Sequence, residues 1–175
     1  MTMKIQKNIA ILGFPNAGKK TFLDFISNEK LLTVCSEEDY TFKFSDISVL
    51  LLVLNLFKDY DGDEVRQHFL KCIHDFLDNL DCIIWIIDSQ DIFVDTLSIK
   101  ALAQFFNPKK LIIVFNKCDT ENRIPSGFES RYFDLLFEST YVFTSFENGK
   151  NTDCLLNLII KKIFPYVHQR SKFLC

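Results

Sequence analysis

The chain has 175 residues, 48% of them hydrophobic and 14% aromatic, with a formal net charge of −3 at pH 7. That length fits one domain over residues 1–175, and the apolar share is ample for a packed core, which excludes a disordered chain. The slight acidic balance and the lack of a Lys/Arg block give no electrostatic case for a nucleic-acid partner.

"KNIAILG" (7–13) reads as a strand that breaks at a glycine, and "KKTFLDFIS" (19–27) as the helix that follows, with Phe22, Phe25 and Ile26 at helical spacing. "YTFKFSDI" (40–47) alternates and "SVLLLVLNLF" (48–57) is almost wholly apolar, so the two are expected to form a hairpin whose second strand is buried on both faces. A helix is expected over 64–80, with Val65, Phe69, Ile73, Phe76 and Leu80 on one stripe. Then come a buried strand at 81–88, a helix at 91–106 ended by "NP", a strand at 109–116, a helix at 128–139 and a strand at 140–145. A closing helix over 152–167 has Thr152 as its expected N-cap and Pro165 at its fraying end. Strands alternating with helices predict an α/β fold with a mostly parallel sheet and helices on both faces.

The apolar stretches are too short to span a bilayer, and "MTMKIQKNIAILG" has no signal-peptide core, so direct membrane insertion is not expected and a cytoplasmic location is. Six cysteines stand at 35, 72, 82, 118, 154 and 175 with no CxxC pair, and read as reduced thiols that mostly fill the core. "SKFLC" is not a C-a-a-X ending. His68 and His74 lack a metal-ligand partner set, Trp85 reads as core, and no Ser-His-Asp, Cys-His or paired-carboxylate constellation is evident.

Chemistry gathers at the strand ends, where open α/β sheets bind their ligands. After the first strand, "GFPNAGKKTF" matches Gly, four residues, Gly-Lys: Gly13, Gly18 and Lys19 fit a phosphate-binding loop. Gly13, Asn16, Ala17, Gly18, Lys19, Lys20 and Thr21 are the candidate phosphate-binding residues, with backbone N–H groups around the oxygens and Lys19 on the terminal phosphates. After the third strand, "DYDG" offers Asp59 to hold a water on Mg²⁺ and Gly62 to approach a terminal phosphate.

After the fifth strand, "NKCD" offers Asn116, Lys117 and Asp119. The Asp119 carboxylate can accept from N1 and the exocyclic amine of guanine, a donor pair that adenine lacks, while Lys117 lies over the base. After the sixth strand, "FTSFEN" supplies a backbone N–H near Ser145 or Phe146 for guanine O6. Each string alone is a common turn; four in order, each at a strand end, are not a chance set.

These four strings and their spacing resemble a Ras-superfamily G domain, a P-loop fold with a mostly parallel six-stranded sheet. "DCIIWIIDSQD" and "FTSFENGKNTDCLLNLIIKKIFPYV" are most similar to the Rag/Gtr branch, its C/D-type members in particular, without the C-terminal roadblock domain. "GFPNAGK" resembles the Obg and Era group instead. The resemblance implies GTP or GDP as ligand and protein partners, among them a second Rag/Gtr-like GTPase. It also implies a place at lysosomal or vacuolar membranes reached through those partners.

Three departures fall on metal binding and hydrolysis. Lys20 stands where the loop usually carries the hydroxyl that holds magnesium, so Mg²⁺ should bind weakly. Asp63 follows Gly62 where the family usually has the glutamine that orients the attacking water. No clear switch threonine stands out, Thr41 being the better candidate and Thr33 the other. Slow or absent GTP hydrolysis is therefore expected. The alternatives are a pseudo-GTPase serving as an interaction subunit, and a P-loop kinase or ATPase, against which the intact "NKCD" argues.

Overall fold

A computed structural model describes residues 6–28, 32–34, 39–44, 47–55, 79–90, 107–119, 121–122, 124 and 138–165. Its strands are β1 (Gln6–Gly13), β2 (Leu32–Val34), β3 (Asp39–Phe44), β4 (Ile47–Asn55), β5 (Cys82–Asp88), β6 (Leu111–Asn116) and β7 (Thr140–Phe143). Its helices are α1 (Lys19–Asn28) and α2 (Thr152–Ile163), with a 3-10 turn over Pro108–Lys110.

The strands form one sheet in the order β2-β3-β4-β1-β5-β6-β7. Four parallel pairings join β4, β1, β5, β6 and β7, while β2 and β3 are antiparallel to their neighbours. Among the described residues the sheet thus has seven strands where six were expected; the addition is β2, three residues, a run too short for sequence periodicity to reveal. The expected hairpin is β3–β4, with Phe44 opposite Ile47. The chain runs to one side of β1 for β4 and to the other for β5, so the switch point of the topology lies at the carboxyl end of β1, where α/β sheets bind ligands.

The central strands are apolar because both of their faces are covered. Ile9, Ile11, Ile84, Ile86, Ile112 and Val114 meet Phe22, Leu23 and Ile26 of α1 and Leu155, Ile159 and Ile163 of α2. Residues of opposite parity, among them Ala10, Leu12, Ile83, Trp85, Ile113 and Phe115, are buried as completely. At about 1.5–3 kcal/mol per buried large apolar side chain, this layer dominates the stability of the sheet. The helix expected over 91–106 lies outside the described residues, as do those expected over 64–80 and 128–139 apart from their last two residues. Asn79 stands in a turn and Leu80 is buried without being helical.

Among the boundaries that differ from expectation, three have a local reason. β6 begins at Leu111 because the Asn107 side chain accepts from the Lys109 N–H and Pro108 opens a 3-10 turn. The N-cap of α2 is Asn151, not Thr152. Asn151 takes a left-handed φ of 57° and spends its amide on the Phe143 carbonyl at 2.8 Å, while the Thr152 hydroxyl donates to Gly149 O at 2.9 Å. The helix stops at Ile163, with the Phe164 N–H closing on Ile160 O just before Pro165.

Cys82 and Cys118 are buried thiols, as expected of core fillers, but Cys154 is exposed. Burial pushes the Cys82 thiol up to about 12, which keeps it protonated and unreactive.

Candidate nucleotide-binding site

β1 delivers its last residue, Gly13, against β5, where a Cβ would come within 2.7 Å of the Ile86 carbonyl oxygen. The chain then turns through Asn16 (φ 64°) and Gly18 (φ 105°) and enters α1 at Lys19. Gly18 is required twice over: by that φ, and because a Cβ there would run into the Asn116 side-chain amide. Ala17 N–H donates to Phe14 O at 3.2 Å and Phe22 N–H to Gly18 O at 3.0 Å, which closes the loop onto the first turn of the helix.

Lys19 is buried, and its ammonium donates to Gly13 O at 2.7 Å and Phe14 O at 2.8 Å. Burial lowers its pKa to about 8. Beside it opens a pocket of about 330 Å³ lined by Pro15, Asn16, Gly18, Lys19, Lys20 and Thr21. Five of the seven predicted phosphate residues therefore stand on one wall, with Pro15 added. Gly13 and Ala17 serve through their carbonyls, which Lys19 and Asn116 occupy.

On the base side, Asn116 ends β6 fully within the protein. Its Nδ2 donates to Ala17 O at 2.9 Å, while its Oδ1 accepts from the Phe146 N–H at 3.1 Å and the Thr144 hydroxyl at 3.3 Å. One buried amide thus ties the phosphate loop to the two base-side segments. Lys117 takes a left-handed φ of 65°, and its ammonium pairs with Asp88 Oδ2 at 2.6 Å. Asp119 accepts from the Ser145 hydroxyl and, at 3.2 Å, from Asn148 Nδ2, both on Oδ1.

The N–H groups expected to meet guanine O6 already have acceptors inside the protein. The Ser145 N–H donates to Lys150 O at 3.2 Å and the Phe146 N–H to Asn116 Oδ1. Phe146 is a core residue whose ring stacks on Phe22 of α1 with centroids 5.1 Å apart.

Asp59, Gly62 and Asp63 lie outside the described residues. The backbones of Thr41 and Thr33 are opposite each other in β3 and β2, within the sheet rather than in a loop, and their side chains lie outside the described set. Among the described residues, no group of three His, Cys, Asp or Glu side chains would hold a metal ion.

Sequence reasoning passed over Asp88, Gln90, Thr144, Asn148 and Lys150. Asp88 had a signal, being the polar residue that ends an apolar strand; the others meet Asn116, Lys117, Cys118 and Asp119 only from far away in sequence. Lys150, for example, donates to Cys118 O at 2.7 Å.

The donor set suits a nucleotide. A buried ammonium and a loop that admits no Cβ at Gly18 follow β1, and an exposed carboxylate at Asp119 follows β6, one strand removed in the same sheet. The profile of the ADP-ribosylation factor family (Arf) matches residues 1–132. The chain belongs to this family. It is a GTP-binding, small-GTPase-like P-loop domain, and membership implies GTP or GDP as ligand, usually with Mg²⁺.

This Arf-family domain is similar to GTPase Obg of Mesomycoplasma hyopneumoniae strain 232 (26% identical, 98% of this chain, 43% of that protein). It is also similar to GTPase Era of Caldicellulosiruptor saccharolyticus (27%, 90% of this chain, 55% of that protein). The chain thus spans about half the length of the curated relatives it matches. Two solved structures share the fold. They are the FeoB G-domain from Methanococcus jannaschii (TM-score 0.64, 16% identity, 91% of this chain and 98% of that one) and the nucleolar GTP-binding protein 1 from Plasmodium falciparum (TM-score 0.63, 19%, 99% and 93%). The likeness thus supports the G domain and its Obg and Era relatives, a coarser placement than the Rag/Gtr branch. Among the described residues, no helix of the Arf-family domain is long and apolar enough to cross a membrane.

Proposed function

We propose that residues 1–175 form one guanine-nucleotide-dependent switch domain that retains GDP or GTP and hydrolyses GTP slowly or not at all. The observation that carries this reading is Asn116, whose single side chain reaches the phosphate loop with its nitrogen and the base-side segment with its oxygen. A ligand spanning both loops, as a nucleoside diphosphate does, would be gripped by a unit that is already assembled. In this reading Lys19 exchanges two carbonyls for phosphate oxygens, Asp119 reads the guanine edge and Lys117 lies over the ring.

Lys20 supports the slow-hydrolysis part. It stands on the pocket wall, where a hydroxyl would hold a metal ion. Two unit charges about 4 Å apart interact by about 4 kcal/mol at an effective dielectric of 20, and a divalent ion doubles the nominal repulsion. Lys20 is exposed and can swing outward, so this is a ceiling. Mg²⁺ held by Asp59 would then be bound weakly, and Asp63 would orient water poorly; Thr41, whose backbone stands within the sheet, is the weaker of the two proposed metal ligands. The same cation favours a second reading, a pseudo-GTPase that serves as an interaction subunit with little nucleotide exchange. A finer proposal rests on the strings "DCIIWIIDSQD" and "FTSFENGK": a Rag/Gtr-like pairing with a second GTPase, reaching lysosomal or vacuolar membranes through that partner.

Denaturing the purified chain and separating the released nucleotides by chromatography tests the core of the proposal. GDP or GTP is expected; adenine nucleotide or none refutes it. In single-turnover GTP hydrolysis with and without Mg²⁺, slow turnover favours the switch and no turnover the pseudo-GTPase, while brisk Mg²⁺-dependent turnover would contradict both. In Lys20→Ser the ratio of GDP affinities with and without Mg²⁺ should rise about tenfold, the conversion of about 1.4 kcal/mol from a repulsion capped as above.

A further inference from the structure

The contacts of Lys117 form a closed set that the reading of the site does not use. Its ammonium meets Asp88 Oδ2 at 2.6 Å, and the other oxygen of that carboxylate accepts from the Gln90 N–H at 2.9 Å. The Gln90 side chain then returns, donating through Nε2 to the Lys117 carbonyl at 3.1 Å. Both ends of Lys117 are therefore held by three consecutive positions at the carboxyl end of β5, Asp88 to Gln90, which are joined to β6 by the Ser89 N–H on Asn116 O at 2.9 Å.

The backbone at Lys117 is left-handed, a conformation that a non-glycine residue adopts only when its surroundings impose it. Strain of that kind at a strand end is the mark of a positioned side chain. The pair is partly exposed, 37% for the Lys117 side chain and 21% for Asp88, so it contributes little to global stability. What it does fix is a four-methylene stem that would otherwise lose its rotamer freedom each time a base packed on it.

We propose that Asp88 is a positioning residue of the nucleotide site: with Gln90 it pre-sets the pose of Lys117, and so governs how fast a bound purine nucleotide is released. This rests on the reading of Lys117 as the residue over the base. Asp88 acts through Lys117 and not on the base edge, so its effect is blind to the groups by which guanine differs from hypoxanthine. Asp119, the edge reader, has the opposite signature.

The test is stopped-flow release of fluorescent GDP and IDP from the full chain and from Asp88→Asn, Asp88→Glu, Gln90→Ala, Lys117→Ala and the Asp88→Asn/Lys117→Ala double variant. Asp88→Asn keeps an acceptor for the Gln90 N–H but loses the charge. It should release both nucleotides roughly threefold to tenfold faster, the cost of ordering one long side chain. Asp88→Glu should recover part of that loss, and Gln90→Ala should show a smaller acceleration in the same direction. The double variant should release no faster than Lys117→Ala alone, since both changes remove one interaction.

A purely structural role would leave the two substitutions additive and give Asp88→Glu no rescue, and either result overturns the inference. Release from Asp88→Asn at or below the wild-type rate also overturns it, since Asp88 would then be restraining Lys117 away from the base. A wild-type chain that retains no guanine nucleotide brings down the reading of the site and the inference together. A wild type that retains it, with Asp88→Asn unchanged, brings down the inference alone.

Discussion

The loop at 13–18 and the loop at 116–119 end neighbouring parts of one sheet, and they are held in different ways. The phosphate-side loop is held mainly from within, Asn116 apart: Lys19 lies on the carbonyls of Gly13 and Phe14, six and five residues away, and the Ala17 N–H turns back to Phe14 O. The base-side loop is pinned from outside by Asp88 and Gln90 after β5 and by Thr144, Ser145, Asn148 and Lys150 after β7, across 26 to 32 residues of chain. A loop fixed by distant strands keeps its shape whether or not a base is bound. A loop whose cation rests on its own carbonyls must change partners when a phosphate arrives. Base selection should therefore be rigid, and phosphate binding should respond to conditions.

The strongest way to break this contrast is to cut the one described side chain that joins the loops. Gly18→Ala places a methyl group on the Asn116 amide and asks an alanine to adopt a φ of 105°. Displacing Asn116 strands Ala17 O and the Phe146 N–H in the interior, at about 1–3 kcal/mol for each unsatisfied buried group. GDP affinity measured by calorimetry should fall by roughly a hundredfold or more. A variant that still bound GDP within about threefold of wild type would show that the loops are not coupled through Asn116.

The frame of this site was legible in the sequence and its fastenings were not. Continuous apolar runs announced β5 and β6, and Gly13 and Gly18 announced a loop whose backbone must come close to something. The glycine contacts supply the physical reason: Gly13 faces the Ile86 carbonyl and Gly18 the Asn116 amide. No local pattern, by contrast, says that Asp88 pairs with Lys117, because the pairing depends on β5 and β6 being parallel neighbours with Asp88 opposite Asn116. The same holds for Phe146. A strand-end reading offers its N–H to a ligand, whereas the fold gives that N–H to Asn116 and packs the ring on Phe22. Asn151 displaced Thr152 as the cap for a similar reason, its amide having an acceptor outside the helix in Phe143 O, at the end of β7.

The conditional behaviour of the phosphate side can be sharpened with pH. Lys19 has a pKa lowered to about 8 by burial, so it loses charge from about pH 8 upward, well below an ordinary lysine. Phosphate oxygens favour the ammonium, so binding raises this pKa and takes up a proton at and above that pH. GDP affinity should be level below about pH 7 and then decline above pH 8 by up to about tenfold per unit. Calorimetry in buffers of different ionisation enthalpy should register proton uptake near pH 8.5. Lys19→Arg, which stays charged throughout, should flatten the decline even if it binds more weakly overall. An affinity in the wild type that stays level to pH 9.5 would mean that Lys19 does not bear on the phosphates.

The smallest effect is expected on the base side, and it is the sharper test of rigidity. Asn148 donates to Asp119 Oδ1 at 3.2 Å from an exposed position, and its backbone N–H reaches the Ser145 hydroxyl at 3.3 Å. Asn148→Ala removes only the first of these, a hydrogen bond to a carboxylate that solvent exposure holds to about 1 kcal/mol. The Ser145 hydroxyl remains on the same carboxylate oxygen, so Asp119 stays oriented. The preference for GDP over IDP, which depends on how squarely Asp119 meets the 2-amino group, should shift by no more than about threefold. A tenfold loss of that preference would mean that the carboxylate turns freely once a single weak contact is gone. The base-side loop would then be as pliable as the phosphate side, and the contrast between the two would fail at the residue that selects guanine.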